Sequence, residues 1–438
     1  MKQNIIQPKV LKGFRDYPPS IMQPRRDMIR RLEDCFVSFG FLPIDTPALE
    51  YSEILLGKGS EETDKQMYRF LDNGERDVAL RFDLTIPLAR FAAMNVSELG
   101  TPFRRYHIAP VWRAEKPQKG RFREFVQCDF DIIGTTSLLA DVEVVSVIHS
   151  ALQSLGVKHR IRVNNRKLLN GLLDSLSLAD RSGEVLRAID KIDKLGLDVV
   201  REELLQVTGH DQDKTQALLS FISLRENKDS AAVLAHLKNL AGNHPLQIQG
   251  IAELEYLFAT LPAASEFCDL DVSIARGLDY YTGLVFETSL VDLPQIGSIC
   301  SGGRYDNLAS LYTKQSLPGV GASIGLDRLI AALDELGQLG NHKSAAAIYI
   351  AFAEHSAEIH HYGFALAQRL RQQSVSVETA SQEGKLGAQL KYADKRNIPL
   401  AAIIGSDEVA SQTVTVKNLG SGEQQQKVSI ENLLLLLK

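Results

Sequence analysis

Long apolar runs are missing from this 438-residue chain. No stretch reaches the length that a membrane-spanning helix needs, and the first twenty residues, MKQNIIQPKVLKGFRDYPPS, lack the apolar core of a signal peptide. We therefore expect a soluble cytoplasmic protein that does not contact membranes. Its length and its hydrophobic content of 44% are sufficient for two or three domains with ordinary cores.

Cysteine is also scarce, and the usual metal-binding spacings are absent. The chain has four cysteines without a CxxC pair, which argues against a disulfide framework and against a structural zinc site. The ten histidines form no HExxH motif, so we expect reduced thiols and no protein-bound transition metal. The net charge of -5 does not indicate a nucleic-acid binder, but it does not exclude a local basic surface. The cysteines are Cys35, Cys128, Cys268 and Cys300.

Residues 104–134, RRYHIAPVWRAEKPQKGRFREFVQCDFDIIG, predict a long antiparallel hairpin. Alternating segments at 106–112 and 122–133 flank a polar loop at 116–120. Arginine presents a planar fork that suits phosphate, so several arginines on one hairpin could hold a polyphosphate. The alternative is a solvated, salt-bridged edge hairpin. The charged residues on or beside the predicted strands and loop are Arg113, Glu115, Lys116, Lys119, Arg121 and Arg123.

One face of the second strand of this hairpin is unusually polar. Because strand side chains alternate between two faces, residues spaced by two share a face. A buried face rarely holds so many polar groups unless a ligand satisfies them. The spacing therefore favours a binding site over a purely structural hairpin. The residues on this predicted face are Arg121, Arg123, Phe125, Gln127, Asp129 and Asp131.

The N-terminal part predicts a helix at 22–39, ended by Gly40, and then a strand interrupted by prolines in FLPIDTPALE. A strand at 78–82 and a helix at 85–93 follow, with Asp83 and Thr85 at the turn between them. Backbone N–H groups converge at such turns and often hold ligands. A purely structural role as helix N-cap would also account for either residue.

The second half of the chain changes character twice. Residues 167–262 are charged and Leu/Ala-rich and predict helices, and strand patterns return from Asp271 in DVSIARGLDYYTGLVFETSL. Gly302 and Gly303 predict a close backbone approach. Residues 319–325 predict a glycine-rich strand that leads into a helix carrying Arg328. After a linker at 340–342, alternating strand and helix patterns predict a small α/β domain.

These segments resemble the signature motifs of class II aminoacyl-tRNA synthetases and, more narrowly, of the histidyl-tRNA synthetase family. The Arg-x-Glu sequence, the loop and GRFREFVQ resemble motif 2, and GVGASIGLDRL is similar to motif 3. The first helix, the strand after it and Pro47 are similar to motif 1. ARGLDYYTG matches a signature specific to histidyl-tRNA synthetases and their relatives.

The resemblance implies an α+β catalytic domain with an antiparallel sheet flanked by helices, a helical insertion, and a C-terminal α/β domain similar to anticodon-binding domains. The implied boundaries are 1–166 and 263–338 for the catalytic domain, 167–262 for the insertion and 343–438 for the last domain. The insertion would contact the acceptor arm of tRNA, although a packing subdomain is the alternative. Motif 1 implies a two-fold symmetric homodimer built on residues 22–60.

The resemblance also implies roles for single residues. Those expected to bind ATP are Arg113, Glu115, Arg121, Phe125 and Arg328. Those expected to bind histidine are Asp83, Leu84, Thr85, Gln127, Asp131, Tyr280 and Tyr281. Those expected to act in catalysis at the α-phosphate are Arg113 and Arg276, and those expected to contact the tRNA acceptor end are Gln118 and Lys119. Asp83 and Asp131 stand where many bacterial relatives carry glutamate, and in this they follow the eukaryote-like branch of the family.

The implied activity is ATP- and Mg²⁺-dependent conversion of L-histidine to histidyl-adenylate, followed by transfer to the 3′ end of tRNA(His). Adenylation requires positioning and charge neutralisation rather than a protein nucleophile. The alternative is a synthetase-like regulatory subunit of ATP phosphoribosyltransferase, which keeps the fold without charging tRNA. Such paralogues usually lack the C-terminal domain and several phosphate-binding arginines, and this sequence has both. A pseudo-synthetase module would be expected inside a longer chain.

Overall fold

The computed structural model describes residues 6–56, 65–118, 120–227, 229–274, 280–339 and 344–437. The chain divides into two compact units. The first unit comprises Met1–Arg15 and Met28–Gln338, and the second comprises Asp16–Asp27 and Leu339–Lys438. Each unit has its own sheet and its own buried apolar residues.

A large mixed sheet flanked by helices organises the first unit. Its eight strands pair in the order β1-β5-β6-β11-β10-β9-β7-β8. The pairing is antiparallel except at the two edges, where β1 pairs with β5 and β7 pairs with β8 in parallel. In chain order the strands are β1 Leu42–Pro43, β5 Phe103–Trp112, β6 Glu124–Ile133, β7 His159–Asn165, β8 Cys268–Leu270, β9 Leu284–Leu290, β10 Ser298–Tyr305 and β11 Gly319–Gly325.

The predicted hairpin is confirmed in β5 and β6, which pair from Phe103 opposite Ile133 to Trp112 opposite Glu124. Its second strand begins at Glu124 rather than at residue 122, so the placement of Arg121 and Arg123 on the strand face was wrong. The reason is a contact with a distant segment of the chain. The amide of Arg123 donates to the Gly13 carbonyl at 2.8 Å, so the N-terminal segment competes for the backbone before the ladder begins.

A small antiparallel sheet in the order β2-β4-β3 lies in the same unit. Its strands are β2 Leu49–Tyr51, β3 Arg69–Leu71 and β4 Asp77–Leu80, so β4 ends two residues earlier than predicted. The following helix, Thr85–Leu99, is longer than predicted and ends where Gly100 takes a positive φ of 69°. Two further helices precede it, Pro19–Ser38 and Ser52–Leu56.

Helices and turns account for the described residues from 166 to 261, as the sequence pattern predicts for 167–262. Their α-helices are Arg166–Ser175, Ser182–Ile189, Ile192–Val207, Gln212–Ser223, Ser230–Ala241 and Pro245–Thr260. The helices of this unit outside that stretch are Leu138–Ser154, Ala264–Phe267 and Leu326–Glu335. Short 3₁₀ turns occur at Ala179–Arg181, Leu224–Glu226, Pro294–Ile296 and Ala309–Leu311.

The strand predicted from Asp271 onward is not continuous. A strand forms earlier, at Cys268–Leu270, and the residues after Asp271 turn away from it. Asp271 accounts for the turn, because its Oδ1 accepts hydrogen bonds from the amide and hydroxyl of Ser273 at 2.9 and 2.6 Å. The strand pattern resumes at Leu284. Residues 275–279 of the ARGLDYYTG sequence lie outside the described residues.

The second unit has the predicted α/β rhythm. Its sheet pairs in the order β13-β12-β14-β15-β16, with β12 parallel to both β13 and β14 and the last two strands antiparallel. The strand β16 was not predicted, because its sequence, QQQKV, carries only one apolar residue. The short helix after β14 was not predicted either. The strands are β12 Ile348–Phe352, β13 Val377–Thr379, β14 Leu400–Ile404, β15 Val414–Asn418 and β16 Gln424–Val428. The helices are Ala357–Gln372, Leu386–Lys395, Ser406–Ser411 and Ile430–Leu436.

Three compositional expectations can be compared with the structure. All four cysteines are free thiols, as predicted. Among the described residues, no group of three or more His, Cys, Asp or Glu side chains is arranged to hold a metal ion. Within those same ranges, no helix is both long enough and apolar enough to cross a membrane. The predicted linker at 340–342 lies outside the described residues.

Candidate active site

One face of the large sheet is built to leave room above the strands. On β11 a Cβ at Gly321 would lie 2.0 Å from Asp131 Oδ1, and one at Gly319 would lie 2.5 Å from the ring of Tyr305. Glycine is therefore required at both positions for these two side chains to lie across the sheet. The predicted close approach at the glycine pair is confirmed, since a Cβ at Gly302 would lie 2.2 Å from a neighbouring carbonyl oxygen.

A pocket of about 220 Å³ opens above this face. It contains six of the seven residues predicted to bind histidine, together with Arg113. Leu84 is the exception, because its fully buried side chain packs with Ala109 and Val111 and does not line the pocket. The lining is Asp83, Thr85, Arg113, Gln127, Asp131, Tyr280, Tyr281, Ser301, Tyr305, Gly321, Ala322 and Ser323.

Two buried oxygen acceptors in this pocket have neither a hydrogen-bond partner nor an ion-pair partner in the part of the chain that the structure describes. Asp83 caps the helix Thr85–Leu99, because its Oδ1 accepts from the amides of Thr85 and Ile86 at 3.1 and 3.0 Å, while its Oδ2 is unpartnered. Gln127 donates through Nε2 to Ser323 Oγ at 2.8 Å, and its Oε1 is unpartnered. Burial raises the pKa of Asp83. Bare acceptors of this kind match a cationic N–H donor.

Asp131 is held by two residues that the sequence analysis missed. Tyr305 donates its hydroxyl to Asp131 Oδ1 at 2.5 Å, and the fully buried Arg105 pairs with Oδ2 at 2.6 Å. Burial raises the pKa of Asp131, and the charge of Arg105 opposes that rise. The hairpin register contains the signal for Arg105, which lies directly opposite Asp131. Tyr305 lies on β10, 174 residues away along the chain, so short-range spacing carries no signal for it.

A second pocket, of about 320 Å³, shares five lining residues with the first. The shared residues are Arg113, Gln127, Tyr281, Ser301 and Ser323. All five residues predicted to bind ATP line this pocket, namely Arg113, Glu115, Arg121, Phe125 and Arg328. The pocket also contains Glu287 and Asp327. Two neighbouring cavities with a common wall can bring two substrates together.

Arg113 stands at this common wall. Its guanidinium lies over the rings of Phe82, at 4.3 Å, and Phe125, at 5.1 Å, and its Nε donates to the Phe82 carbonyl at 3.2 Å. Burial lowers the pKa of Arg113, and the negative charges of Asp83 and Glu115 oppose that effect. The two rings and the carbonyl fix the plane of the fork, so its remaining N–H groups have a set direction.

The N-terminal segment braces the larger pocket. Arg15 lies over the Phe122 ring at 3.7 Å and pairs with Asp327 Oδ1 at 2.6 Å. The other oxygen of Asp327 accepts from the amide of Val126 at 2.7 Å. This contact joins the hairpin to the helix that carries Arg328, whose Nη1 donates to the Ser298 carbonyl. No sequence pattern indicates this contact, since Arg15 and Asp327 are 312 residues apart.

Two of the predicted functional residues cannot be placed and a third lies outside both pockets. Arg276 and Lys119 are outside the described residues. Gln118 is exposed, lines neither pocket, and pairs with Arg121 through backbone hydrogen bonds of 2.9 and 3.1 Å. Its position in a surface turn of the hairpin loop leaves its side chain accessible to a large partner.

Comparisons with known proteins agree over nearly the whole chain. A family model described as Histidyl-tRNA synthetase matches residues 13–329, and one described as Anticodon binding domain matches residues 347–438. The histidine–tRNA ligase of Rhodopirellula baltica is 50% identical over 425 residues, covering 96% of this chain and 95% of the relative. The histidine–tRNA ligase of Clostridium tetani is 44% identical and both chains are covered completely.

Solved structures give the same result for the fold. The crystal structure of histidyl-tRNA synthetase from Nostoc sp. PCC 7120 matches with a TM-score of 0.88 at 34% identity, covering 99% of each chain. A structure from Bacillus halodurans, described as an ATP phosphoribosyltransferase regulatory subunit/histidyl-tRNA synthetase, matches with a TM-score of 0.73 at 24% identity, covering 88% of this chain and 97% of that one. The second match concerns the fold alone.

Proposed function

The chain belongs to the histidyl-tRNA synthetase family and uses ATP to charge tRNA with histidine, and we propose that histidyl-adenylate forms where its two neighbouring pockets meet. The observation that carries this proposal is the common wall, in which Arg113 faces both cavities. A carboxylate in the smaller pocket and an α-phosphate in the larger one would both lie within reach of this one cation. In-line attack requires such placement.

The smaller pocket suits histidine at both ends of the molecule. The ammonium group of histidine would donate to Asp83 Oδ2 and Gln127 Oε1, and Thr85 would lie beside them. Its imidazole would lie between Asp131, which accepts from one ring nitrogen, and Tyr281, which serves the other, while Tyr280 completes the wall. A ligand that leaves these buried groups unpaired would lose about 1–3 kcal/mol for each of them.

The larger pocket suits ATP. Phe125 would stack on the adenine ring, Arg121 would bind the terminal phosphates, and Arg328 would cover the nucleotide from the opposite side. Arg113 would bind the α-phosphate and neutralise the charge that develops as the histidine carboxylate attacks. We propose the same role for Arg276, on the resemblance of the ARGLDYYTG sequence alone.

The donor set fits Mg²⁺ only as an ion that ATP carries. Such ions are held mainly by phosphate oxygens and water, with one or two carboxylates. Glu115 and Glu287 line the larger pocket, and each faces an arginine, Arg121 at 3.7 Å and Arg162 at 2.6 Å. These two carboxylates would hold the ion against the phosphates. When bound, the ion would reduce the negative charge on those phosphates.

The finer partner assignments are also proposals. We propose tRNA(His) as the tRNA, with Gln118 and Lys119 meeting its acceptor end, and the boundaries 1–166, 167–262, 263–338 and 343–438 for the domains. The match of residues 347–438 to an anticodon-binding domain supports a tRNA contact by the second unit. We further propose that the protein is cytoplasmic.

We also propose a homodimer. Among its described residues between 37 and 94, the first unit exposes a set of large apolar side chains, of which Leu42, Leu71 and Met94 are 62%, 67% and 71% exposed. The edge strand β3 carries two of the exposed apolar residues, and uncovered apolar edges are typical of pairing surfaces. The full set is Val37, Leu42, Leu49, Tyr51, Phe70, Leu71 and Met94.

The proposed reaction is tested by ATP–pyrophosphate exchange with each of the twenty amino acids in turn. We expect exchange with histidine alone, and we expect histidine to be attached to tRNA(His) in the presence of ATP. Exchange with another amino acid of similar size at a comparable rate would contradict the assignment of the smaller pocket. The regulatory-subunit alternative is not favoured, because the curated relatives are ligases over nearly the full chain.

A further inference from the structure

One face of the strand β11 carries a single side chain. Its residues on that face are Gly319, Gly321, Ser323 and Gly325, so the hydroxyl of Ser323 is the one functional group that this strand contributes. Ser323 lies directly opposite Asp129 on β6, with Gln127 as its diagonal neighbour. The other residues on this face of β11 are glycines, so Ser323 supplies the only hydroxyl of this face, beside Gln127 and Asp129 of β6.

The hydrogen bonds of Ser323 determine which end of Gln127 faces the ligand. Gln127 Nε2 donates to Ser323 Oγ at 2.8 Å. Asp129, which is 1% exposed, lies directly opposite Ser323, whose hydroxyl lowers the pKa of this carboxyl group. At pH 8, above the pKa of about 7 of Asp129, this group is mainly a carboxylate and only accepts, so the Ser323 hydrogen turns toward it and the Ser323 lone pairs remain for Gln127. Only the NH₂ end of the amide can donate to those lone pairs. Oε1 is therefore turned into the pocket, where it has no partner among the described residues.

We propose that Ser323 and Asp129 are positioning residues that lock the Gln127 amide with Oε1 toward the ligand, so that the pocket selects molecules carrying a cationic amine. This inference rests on the proposed placement of the histidine ammonium beside Asp83 and Gln127. Without the Ser323 hydroxyl, the amide is free to turn. Its NH₂ group would then face the ammonium, and two donors would oppose each other.

The test compares two histidine analogues by calorimetric titration at pH 8. Histidinol keeps the ammonium and loses the carboxylate, whereas imidazole-4-propionate keeps the carboxylate and loses the ammonium. In Ser323→Ala the Kd of histidinol should rise about tenfold, while the Kd of imidazole-4-propionate should stay within twofold. Ser323→Thr, which keeps the hydroxyl, should restore histidinol binding. Ser146→Ala, which removes a serine hydroxyl on the helix Leu138–Ser154, should change neither Kd.

A double-mutant cycle with Gln127→Ala decides whether Ser323 acts through the amide. When Gln127→Ala is already present, adding Ser323→Ala should not change the Kd of histidinol further. The proposal is overturned if Ser323→Ala weakens the binding of both analogues equally or leaves both Kd values unchanged. It is also overturned if Ser323→Ala raises the Kd of histidinol as much in the Gln127→Ala background as in the unsubstituted protein. If Gln127→Ala alone leaves histidinol binding unchanged, the ammonium placement is wrong. That result is distinct from a failure of the Ser323 contact, in which Gln127→Ala weakens histidinol and Ser323→Ala does not.

Discussion

Asp131 lies between a buried cation and a tyrosine hydroxyl, and this pairing is what keeps it usable as an acceptor. Arg105 contacts Oδ2 at 2.6 Å and Tyr305 contacts Oδ1 at 2.5 Å, while burial on all sides favours the neutral acid. Removing the carboxylate altogether would leave Arg105 buried without its partner, at a cost of about 3–5 kcal/mol in stability. A test of Asp131 must therefore keep an oxygen that can still accept from Arg105, and it must check by the Tm of the variant that the fold tolerates the loss of the ion pair.

Asp131→Asn keeps the shape and removes the negative charge. We expect the KM for histidine in pyrophosphate exchange to rise about 10–100-fold, because a charge-assisted hydrogen bond to the imidazole is lost. The KM for ATP should change less than threefold, since Asp131 lines only the smaller pocket. An unchanged KM for histidine would place the imidazole elsewhere.

Asp129 makes the stability of the protein depend on pH. Burial is the main cause that raises its pKa from the ordinary 3.8 to about 7, with Asp131 and Asp83 adding to the rise and Arg105 and Ser323 opposing it. A carboxyl group whose pKa is higher in the folded state stabilises the fold most at low pH, and that contribution disappears as the pH rises through 7. The full difference corresponds to at most about 4 kcal/mol.

The difference in Tm between Asp129→Asn and the unsubstituted protein should therefore shift in favour of the variant between pH 5 and pH 8. Thermal melts at intervals of one pH unit measure this shift. The exposed Asp213, substituted in the same way, serves as the control and should give a flat difference. A shift of the opposite sign would mean that Asp129 is stabilised as a carboxylate.

At the scale of elements, the arginines of the larger pocket come from two separate pieces of chain that must be held together. Arg121 belongs to the hairpin loop and Arg328 to the helix Leu326–Glu335. Arg15 joins them, because it stacks on Phe122 and pairs with Asp327, each the immediate neighbour of one of these arginines. Arg15 thus holds together the walls of the larger pocket, although its own side chain does not line that pocket.

Arg15→Ala should raise the KM for ATP about tenfold in pyrophosphate exchange, because both neighbours lose a fixed partner, while the KM for histidine should change little. Arg15→Lys should recover only part of the loss, since an ammonium can pair with Asp327 but cannot stack as a flat fork. Equal increases in both KM values would indicate general loosening of the unit instead.

The sequence predicts a strand or helix correctly where the pattern that determines it lies within the segment itself. The period-two pattern of β6 correctly places Gln127 and Asp131 on one face, and the two glycines of β10 correctly indicate a close approach. The predicted strand extended too far toward Arg121, because the amide of Arg123 donates to the carbonyl of Gly13, more than a hundred residues away, instead of joining the ladder. Tyr305 was missed for the same reason. Contacts between distant segments leave no periodic trace in one sequence.

At the scale of the whole molecule, the proposed homodimer would cover the apolar edge of the small sheet. Light scattering at micromolar concentration should report twice the 48.4 kDa of one chain. Replacing exposed Leu71 with Lys on the edge strand should shift the population toward monomer, whereas Leu435→Lys, an equally exposed position in the second unit, should not. A stable, active monomer would contradict the proposed assembly.

The central claim is that Arg113 serves both pockets at once, and single-turnover formation of histidyl-adenylate tests it most directly. With saturating histidine and ATP, Arg113→Ala should lower the rate about 10²–10³-fold, because the cation acts on charge that develops in the transition state. The exposed Arg187 on the helix Ser182–Ile189 provides the control, and Arg187→Ala should keep the full rate. A rate for Arg113→Ala within a few-fold of the unsubstituted protein, with the fold intact, would contradict the account.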